Sequence, residues 1–302
     1  MDLILLNAKV ITMDSNNTIA QSVAIKDGKI VNVGRNEEIL NLKNSDTKVI
    51  DLKEKLVLPS FNDSHMHLIN YGNSITNVDL VGVKSIEEIQ EKVYEFIKEK
   101  NIPKGKWVRG RGWNQDYFKG AKEFPTRYDL DKISTDHPIV LTRACEHVAV
   151  GNSKALELIG VNKNTMQVDG GKFDVDNDNE PLGIFRENAL GLIYNALPNP
   201  TVEEIKDLIL KAVNDLNKCG ITSVGTDDFE SLPGKDYEKV IKAYKELKEE
   251  NKLNMRVYEQ CLLPSKNKLL EFLEKGYKTG LGDENFKIGP LKILLDGSLG
   301  AR

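Results

Sequence analysis

The chain is predicted to adopt an α/β fold, on three features of its sequence. Helical and strand-like periodicities alternate from Thr201 onward, short β-patterned runs separated by turns fill residues 3 to 57, and the apolar run of LVLPSFNDSHMHL ends in polar residues around His65 and His67. Helix-strand alternation is the pattern of a parallel sheet, because parallel neighbours need a long crossover and a helix supplies it. An apolar strand that ends in polar side chains is one that delivers them to a site.

The elements follow in chain order. LILLNAKVITM, QSVAIKDGKIVNVG and TKVIDLKEKLVLP read as strands, with a hairpin signal at Lys26, Asp27, Gly28 and Lys29. A small β unit over residues 1 to 57 is expected. In SIEEIQEKVYEFIKEK, Ser85 is the N-cap, Glu88 follows three residues later, and Ile86, Ile89, Val93, Phe96 and Ile97 form one helical stripe. The stretch holding Trp107, Trp113 and Tyr117 reads as turn-rich. HPIVLTRACEHVAVGN gives one or two strands before a short helix near Ser153, and the Asp, Asn and Gly of residues 165 to 182 read as an exposed loop or hairpin. Thr201 and Glu204 open a long helix that ends at Gly220. Strand, helix, strand, helix and strand then follow, to Asp296.

Composition narrows the class. Hydrophobic residues at 40% and charged residues at 29% are ordinary globular usage, which excludes disordered and collagen-like chains. The net charge of -4 arises from 46 acidic and 42 basic side chains with no basic block, so no nucleic-acid partner is expected. No run approaches the roughly 18 apolar residues of a membrane helix, and MDLILLNAKV is too short and too acidic at its start for a signal core. Cys145, Cys219 and Cys261 are odd in number and far apart, as reduced thiols of a cytoplasmic protein would be.

Two of the four histidines, His65 and His67, lie two residues apart. On a strand, such residues face the same way about 6.5 to 7 Å apart, within reach of one metal ion. Asp63 shares their face, and an acid there can orient a ligand through its second nitrogen. The alternative is two half-exposed polar residues at a strand end. His137, before Pro138, reads as a loop residue.

PSFNDSHMHL resembles the Pro-Gly-x-x-Asp-x-His-x-His segment of the amidohydrolase superfamily, with Ser60 where the family usually has Gly. GRGWNQDYF, FPTRYDLD, RACEHVAVGNSKAL, GGKFDVDNDNEPLGIFRENA, GITSVGTDD and LKILLDGSLGAR are similar to its family 3, the YtcJ-like branch that includes N-substituted formamide deformylases. The resemblance implies an incomplete (β/α)8 TIM-type barrel over residues 58–68 and 201–302. It also implies part of a small β-sandwich at 1–57 and a large α+β insertion at 69–200, after the first barrel strand. Barrel strands are counted near 56–67, 221–228, 254–262 and 286–296. The rest would lie beyond Arg302, so the chain is expected to be part of a longer protein, and self-association into a homo-oligomer is one way to cover its open edges.

For the site, the resemblance implies His65 and His67 as metal ligands at the C-terminal end of the first barrel strand. Lys292 would be carboxylated and supply oxygen to one or two divalent ions, expected to be zinc; this requires the neutral amine, which burial favours. The other reading of Lys292 is a strand lysine in solvent or paired to Asp296, although Leu291, Ile293, Leu294 and Leu295 favour a buried strand. Asp296 is either a substrate contact or a turn-forming acid. Glu187 is a ligand or substrate contact, or else an Arg186 partner at a helix start. His147 contacts substrate or is structural, and Trp113 walls the pocket or packs in the core. Cys145 reads as packing, since no activating motif surrounds it. The implied reaction is hydrolysis of a non-peptide carbon-nitrogen bond in a small amide-like molecule, by a metal-activated hydroxide. The aspartate expected to move the proton lies beyond Arg302, so no catalytic residue is assigned. The alternative is a metal-binding or ligand-binding piece without catalytic activity.

Overall fold

A computed structural model describes residues 1–294 and divides into two compact units, Met1–Asn62 and Asp63–Arg302. In the first, β1 (Leu3–Ile11), β2 (Ile19–Ala20), β3 (Ser22–Lys26) and β4 (Lys29–Gly34) precede a short helix, α1 (Asn36–Leu40), and β5 (Lys48–Val57). The sheet order is β2-β1-β3-β4, and β5 pairs in parallel with β1. The turn between β3 and β4 has Asp27 and Gly28 at φ +50° and +71°, the left-handed pair that a two-residue hairpin demands. Residues 36–40 form a helix where only turns and strands were expected. Its Ile39 is fully buried with Ile4 and Ala24 while Leu40 is exposed, so one apolar side chain of NEEIL anchors the helix.

The chain continues through β6 (Phe61–Met66), α2 (Leu68–Ser74), β7 (Val78–Asp79), α3 (Ile86–Glu99), β8 (Val108–Trp113), α4 (Arg127–Asp131), β9 (Ile139–Arg143) and β10 (Val148–Gly151). Then come α5 (Ser153–Ile159), β11 (Gly171–Val175), β12 (Pro181–Glu187), α6 (Leu190–Tyr194) and α7 (Val202–Lys218). β13 (Ile221–Thr226), α8 (Tyr237–Glu249), β14 (Arg256–Leu262), α9 (Lys266–Glu274) and β15 (Phe286–Lys292) complete the described elements. β7 to β12 form a six-stranded sheet in the order β11-β12-β10-β9-β8-β7, and β6, β13, β14 and β15 form a four-stranded sheet in the order β15-β14-β13-β6.

In the six-stranded sheet α3 is capped as its sequence requires, Ser85 Oγ accepting from Glu88 N, and buries Ile89 and Val93. The stretch expected to be turn-rich holds β8. Its glycines hide the strand pattern because they serve packing: a Cβ on Gly110 would meet Leu141 Cδ2 at 2.8 Å, and one on Gly112 would meet Val81 Cγ2 at 2.6 Å. Residues 171–187 fold as the β11-β12 hairpin.

β13, β14 and β15 are parallel, joined by α8 and α9, and β6 runs alongside β13 with Met66 O accepting from Asp227 N. Ile205, Ile209, Val213, Val240, Tyr244 and Leu247 from α7 and α8 fill the core against this sheet. The register between β14 and β15 slips between Glu259 and Cys261, so Gly289 and Pro290 together oppose Gln260. Side chains alternate along a strand, so the bulge turns Lys292 to the face opposite that of Ile288.

α2 crosses α7 closely because Gly72 has no side chain. A Cβ there would lie 2.2 Å from the Leu208 carbonyl oxygen. Since α2 begins at His67, this contact also fixes the end of β6. Gly72→Ala is expected to lower the unfolding free energy by about 1–3 kcal/mol in urea titrations. Gly191→Ala in α6, where the nearest atom is 3.7 Å away, should leave stability unchanged or raise it. Equal effects of the two substitutions would refute the close-approach account.

Candidate functional site

Three strand ends converge on Asp227. β6 carries His65, and His67 follows it as the N-cap residue of α2. β13 ends at Thr226, immediately before Asp227 and Asp228, and β15 ends at Lys292. Because parallel strands deliver their C-terminal ends to one side, these residues share that side.

His67 Nδ1 lies 2.8 Å from the Asp227 carbonyl oxygen. A carbonyl only accepts, so Nδ1 carries the hydrogen, and in the neutral ring Nε2 keeps its lone pair. The His65 and His67 rings stand 5.6 Å apart between centroids at 74°. His67 is 45% exposed. Asp63, expected to orient a ligand ring, instead accepts from the His65 backbone N–H at 3.1 Å. The orienting group for His67 is the Asp227 peptide, a group without sequence identity.

Lys292 Nζ donates to Asp227 Oδ2 at 2.6 Å, with the side chains 19% and 2% exposed. The lysine is therefore withdrawn from water and paired, but to Asp227. Asp296, its expected partner and a candidate substrate contact, lies outside the described residues. The flanks Leu291, Ile293 and Leu294 are exposed, contrary to the expectation of a buried strand, because β15 is an edge of the described sheet. Asp227 Oδ1 is buried without a hydrogen-bond partner among the described residues. Also among these, no group of three or more His, Cys, Asp or Glu side chains is placed to hold a metal ion.

On the helix-packed face of the sheet lies a buried acidic cluster that the motif reading missed. Asp228 accepts from Ile69 N at 2.9 Å, Thr226 Oγ1 at 3.0 Å and Tyr244 OH at 2.6 Å, and its own N–H donates to Glu259 Oε1 at 2.8 Å. Burial pushes the Asp228 carboxyl up to about 6 against these hydrogen bonds. Burial and the neighbouring Asp228 carry Glu259 well above the usual carboxylate range, and Glu259 Oε2 is buried without a partner among the described residues. The signal was legible in alternation: Val257, Glu259 and Cys261 are the buried positions of β14, and a charged residue stands among them.

The remaining candidates lie on the six-stranded sheet. His147 Nδ1 and Glu187 Oε2 are 2.8 Å apart and both exposed, with Glu187 at φ +51° at the end of β12. The alternative Arg186 pairing is not formed among the described residues, where Arg186 binds Asp174 at 2.7 Å. Trp113 is fully buried, its Nε1 donating to Leu141 O at 3.0 Å, and so packs in the core with no exposed face. Cys145 is exposed rather than packed, and the Arg143 guanidinium helps hold its thiol below the usual value against the opposing effect of burial. His137 is buried, bonding Ser134 Oγ and Ile102 O, so it is structural.

The buried acids make stability depend on pH with a definite sign. A carboxyl with a raised folded-state pKa binds more protons folded than unfolded, so its favourable contribution is present at low pH and lost as pH rises through the folded value. Glu259→Gln is accordingly expected to match the parent near pH 4 and become the more stable protein as pH rises toward 8, in urea unfolding followed across that range. A difference that does not change with pH would contradict the neutral-glutamate account.

Among the described residues no helix is long and apolar enough to cross a membrane. Residues 48–302 match the model of the amidohydrolase family. A Bacillus subtilis (strain 168) protein that carries the name amidohydrolase YtcJ is 31% identical over 294 residues, 97% of this chain and 54% of that protein. N-substituted formamide deformylase of Arthrobacter pascens is 33% identical over 230 residues, 74% of this chain and 42% of the enzyme. The crystal structure of an uncharacterized metal-dependent hydrolase from Pyrococcus horikoshii superposes with a TM-score of 0.75 at 30% identity, covering 99% of this chain and 56% of that one. The chain spans about half the length of the curated relatives it matches. Because the family's model matches residues 48–302, a span that contains every residue of the strand-end site, this chain belongs to the amidohydrolase family.

Proposed function

We propose that this chain carries part of the metal site of a hydrolase acting on a non-peptide carbon-nitrogen bond in a small amide-like substrate. The observation that carries the reading is the fixed tautomer of His67: its Nδ1 is tied to the Asp227 carbonyl, which leaves Nε2 as the ligand nitrogen beside His65. The buried, partnerless Asp227 Oδ1 also fits a cation nearby. We further read the four-stranded sheet as part of a (β/α)8 barrel, residues 1–57 as part of a β-sandwich, and residues 69–200 as an insertion.

His65 and His67 would hold a divalent ion, zinc by the nature of its nitrogen donors. When bound, such an ion supplies Lewis acidity to water and to a substrate carbonyl. Lys292 is the residue for carboxylation. Its ammonium proton passes to Asp227 Oδ2, 2.6 Å away, and the freed amine pair attacks carbon dioxide. That forms a nitrogen-carbon bond as one carbon-oxygen π bond of carbon dioxide breaks and its pair moves onto oxygen, and a second nitrogen proton leaves to solvent. Until then the Asp227 carboxylate holds Lys292 at the strand end. His147 and Glu187, 2.8 Å apart, form an exposed polar pair available to a substrate.

A second reading, metal binding without turnover in this chain, is favoured by the lack of a third His, Cys, Asp or Glu ligand among the described residues. Metal analysis and hydrolysis assays on this chain, and on one extended to the length of its relatives, distinguish the two. N-substituted formamides belong in the substrate panel because the Arthrobacter relative is named for them. Metal binding is expected in both chains, weakened about 100-fold or more by His67→Ala, with hydrolysis in the extended chain. Full metal occupancy in a His65→Ala, His67→Ala double variant would sink the proposal. Carbon-13 bicarbonate is expected to yield a carbamate NMR signal that is missing in Lys292→Met.

A further inference from the structure

Arg109, the second residue of β8, is a cation mostly withdrawn from water and left without an acid. Among the described residues its guanidinium makes one hydrogen bond, Nη1 to Asn73 Oδ1 at 3.3 Å, and no ion pair. Burial pushes its pKa below the usual arginine value, and the group that opposes the shift is the Tyr194 phenol rather than a carboxylate. A partly buried guanidinium on a cavity wall, with most of its five N–H donors unused by the described residues, is placed to bind an acceptor.

The surroundings define what that would be. Arg109 and Asn73 line a polar cavity of about 320 Å³ together with Asn70, Arg111, Thr142 and Tyr194. The pairing of β8 with β9 sets Arg109 opposite Val140 and Arg111 opposite Thr142, so the two arginines, two residues apart, rise from one face. Thr142 Oγ1 and Tyr194 OH are 3.0 Å apart and add hydroxyls. The one carboxylate on the lining, Glu146, pairs with Arg111 at 3.4 Å, so one positive charge, that of Arg109, stays uncompensated. Arg109 and Asn73 also line an adjoining cavity of about 290 Å³, whose wall is mainly apolar, with Trp107, Leu197, Pro198 and Leu208, and carries two lysines and two acids that balance in charge, Lys106, Lys211, Glu204 and Asp207.

We propose that the polar cavity is a binding site for an organic carboxylate. The two carboxylate oxygens face the Arg109 fork, and the apolar substituent enters the adjoining cavity. The guanidinium fork matches a planar carboxylate in two parallel hydrogen bonds. One uncompensated charge suits a monoanion, and the apolar wall suits an organic group rather than an inorganic ion.

Calorimetric titration of the chain with benzoate, acetate and inorganic phosphate, in chelator, tests this. Saturable benzoate binding is expected, tighter than acetate and phosphate. Arg109→Lys keeps the charge but loses the fork, and Asn73→Asp sets a carboxylate against Arg109; each is expected to weaken benzoate by about tenfold or more, with the far-ultraviolet circular dichroism of the parent. Should either variant misfold, the other decides. Absence of saturable benzoate binding, phosphate binding tighter than benzoate, or parent-like binding in a folded variant would overturn the proposal.

Discussion

Asp227 joins three strands through three different groups. Its amide N–H donates to Met66 O, its carbonyl accepts from His67 Nδ1, and its carboxylate holds Lys292 Nζ. The His67 side chain is 45% exposed, whereas Lys292 and Asp227, at 19% and 2%, form a mostly buried pair. Removing one partner of such a pair leaves a buried charge uncompensated, typically a loss of about 3–5 kcal/mol. The same residue therefore fixes where β6 ends, which ring nitrogen of His67 is free, and where the β15 lysine points.

What lies beneath this junction explains its rigidity. Asp228 is immobilised by three donors, one of them Tyr244 from the middle of α8, and its N–H is held by Glu259 of the next strand. The strand ends are thus bonded sideways to each other and downward to a helix. Burial and the Glu259 carboxylate push the Cys261 thiol up to about 12, so it stays protonated and serves as packing. Asp227 and Asp228, adjacent in sequence just past the end of β13, have different partners: Asp227 holds Lys292, and Asp228 accepts from Tyr244 of α8.

Much of this was legible in the residues. β13, β14 and β15 lie where apolar runs were found between helical stripes, the Asp27-Gly28 turn forms, and Ser85 and Thr201 cap their helices as their sequences demand, but the strand expected over 56–67 is divided, Leu56 and Val57 ending β5 and β6 starting only at Phe61. Legibility failed where the deciding group has no side-chain signature or an ambiguous one. The peptide carbonyl that orients His67 belongs to a residue 160 positions away. Gly110 and Gly112 read as turn signals because the close contacts that require them are tertiary. The pairing of Lys292 with Asp227 depends on a one-residue slip, and the Gly289-Pro290 dipeptide that produces it is a bulge signal only once a strand is assumed around it.

The bulge also links the chemistry to the edge of the sheet. Lys292 turns to Asp227, while Leu291 beside it and Ile293 and Leu294 just past the end of β15 are exposed, the last two at 66% each. An edge strand with free backbone groups and apolar side chains is a surface that pairing covers. A parallel strand laid on that edge ends on the same side as β6, β13 and β15, which is the side of His67 and Asp227. A strand that covered this edge would thus bring its own end to the side of the sheet on which Lys292 meets Asp227.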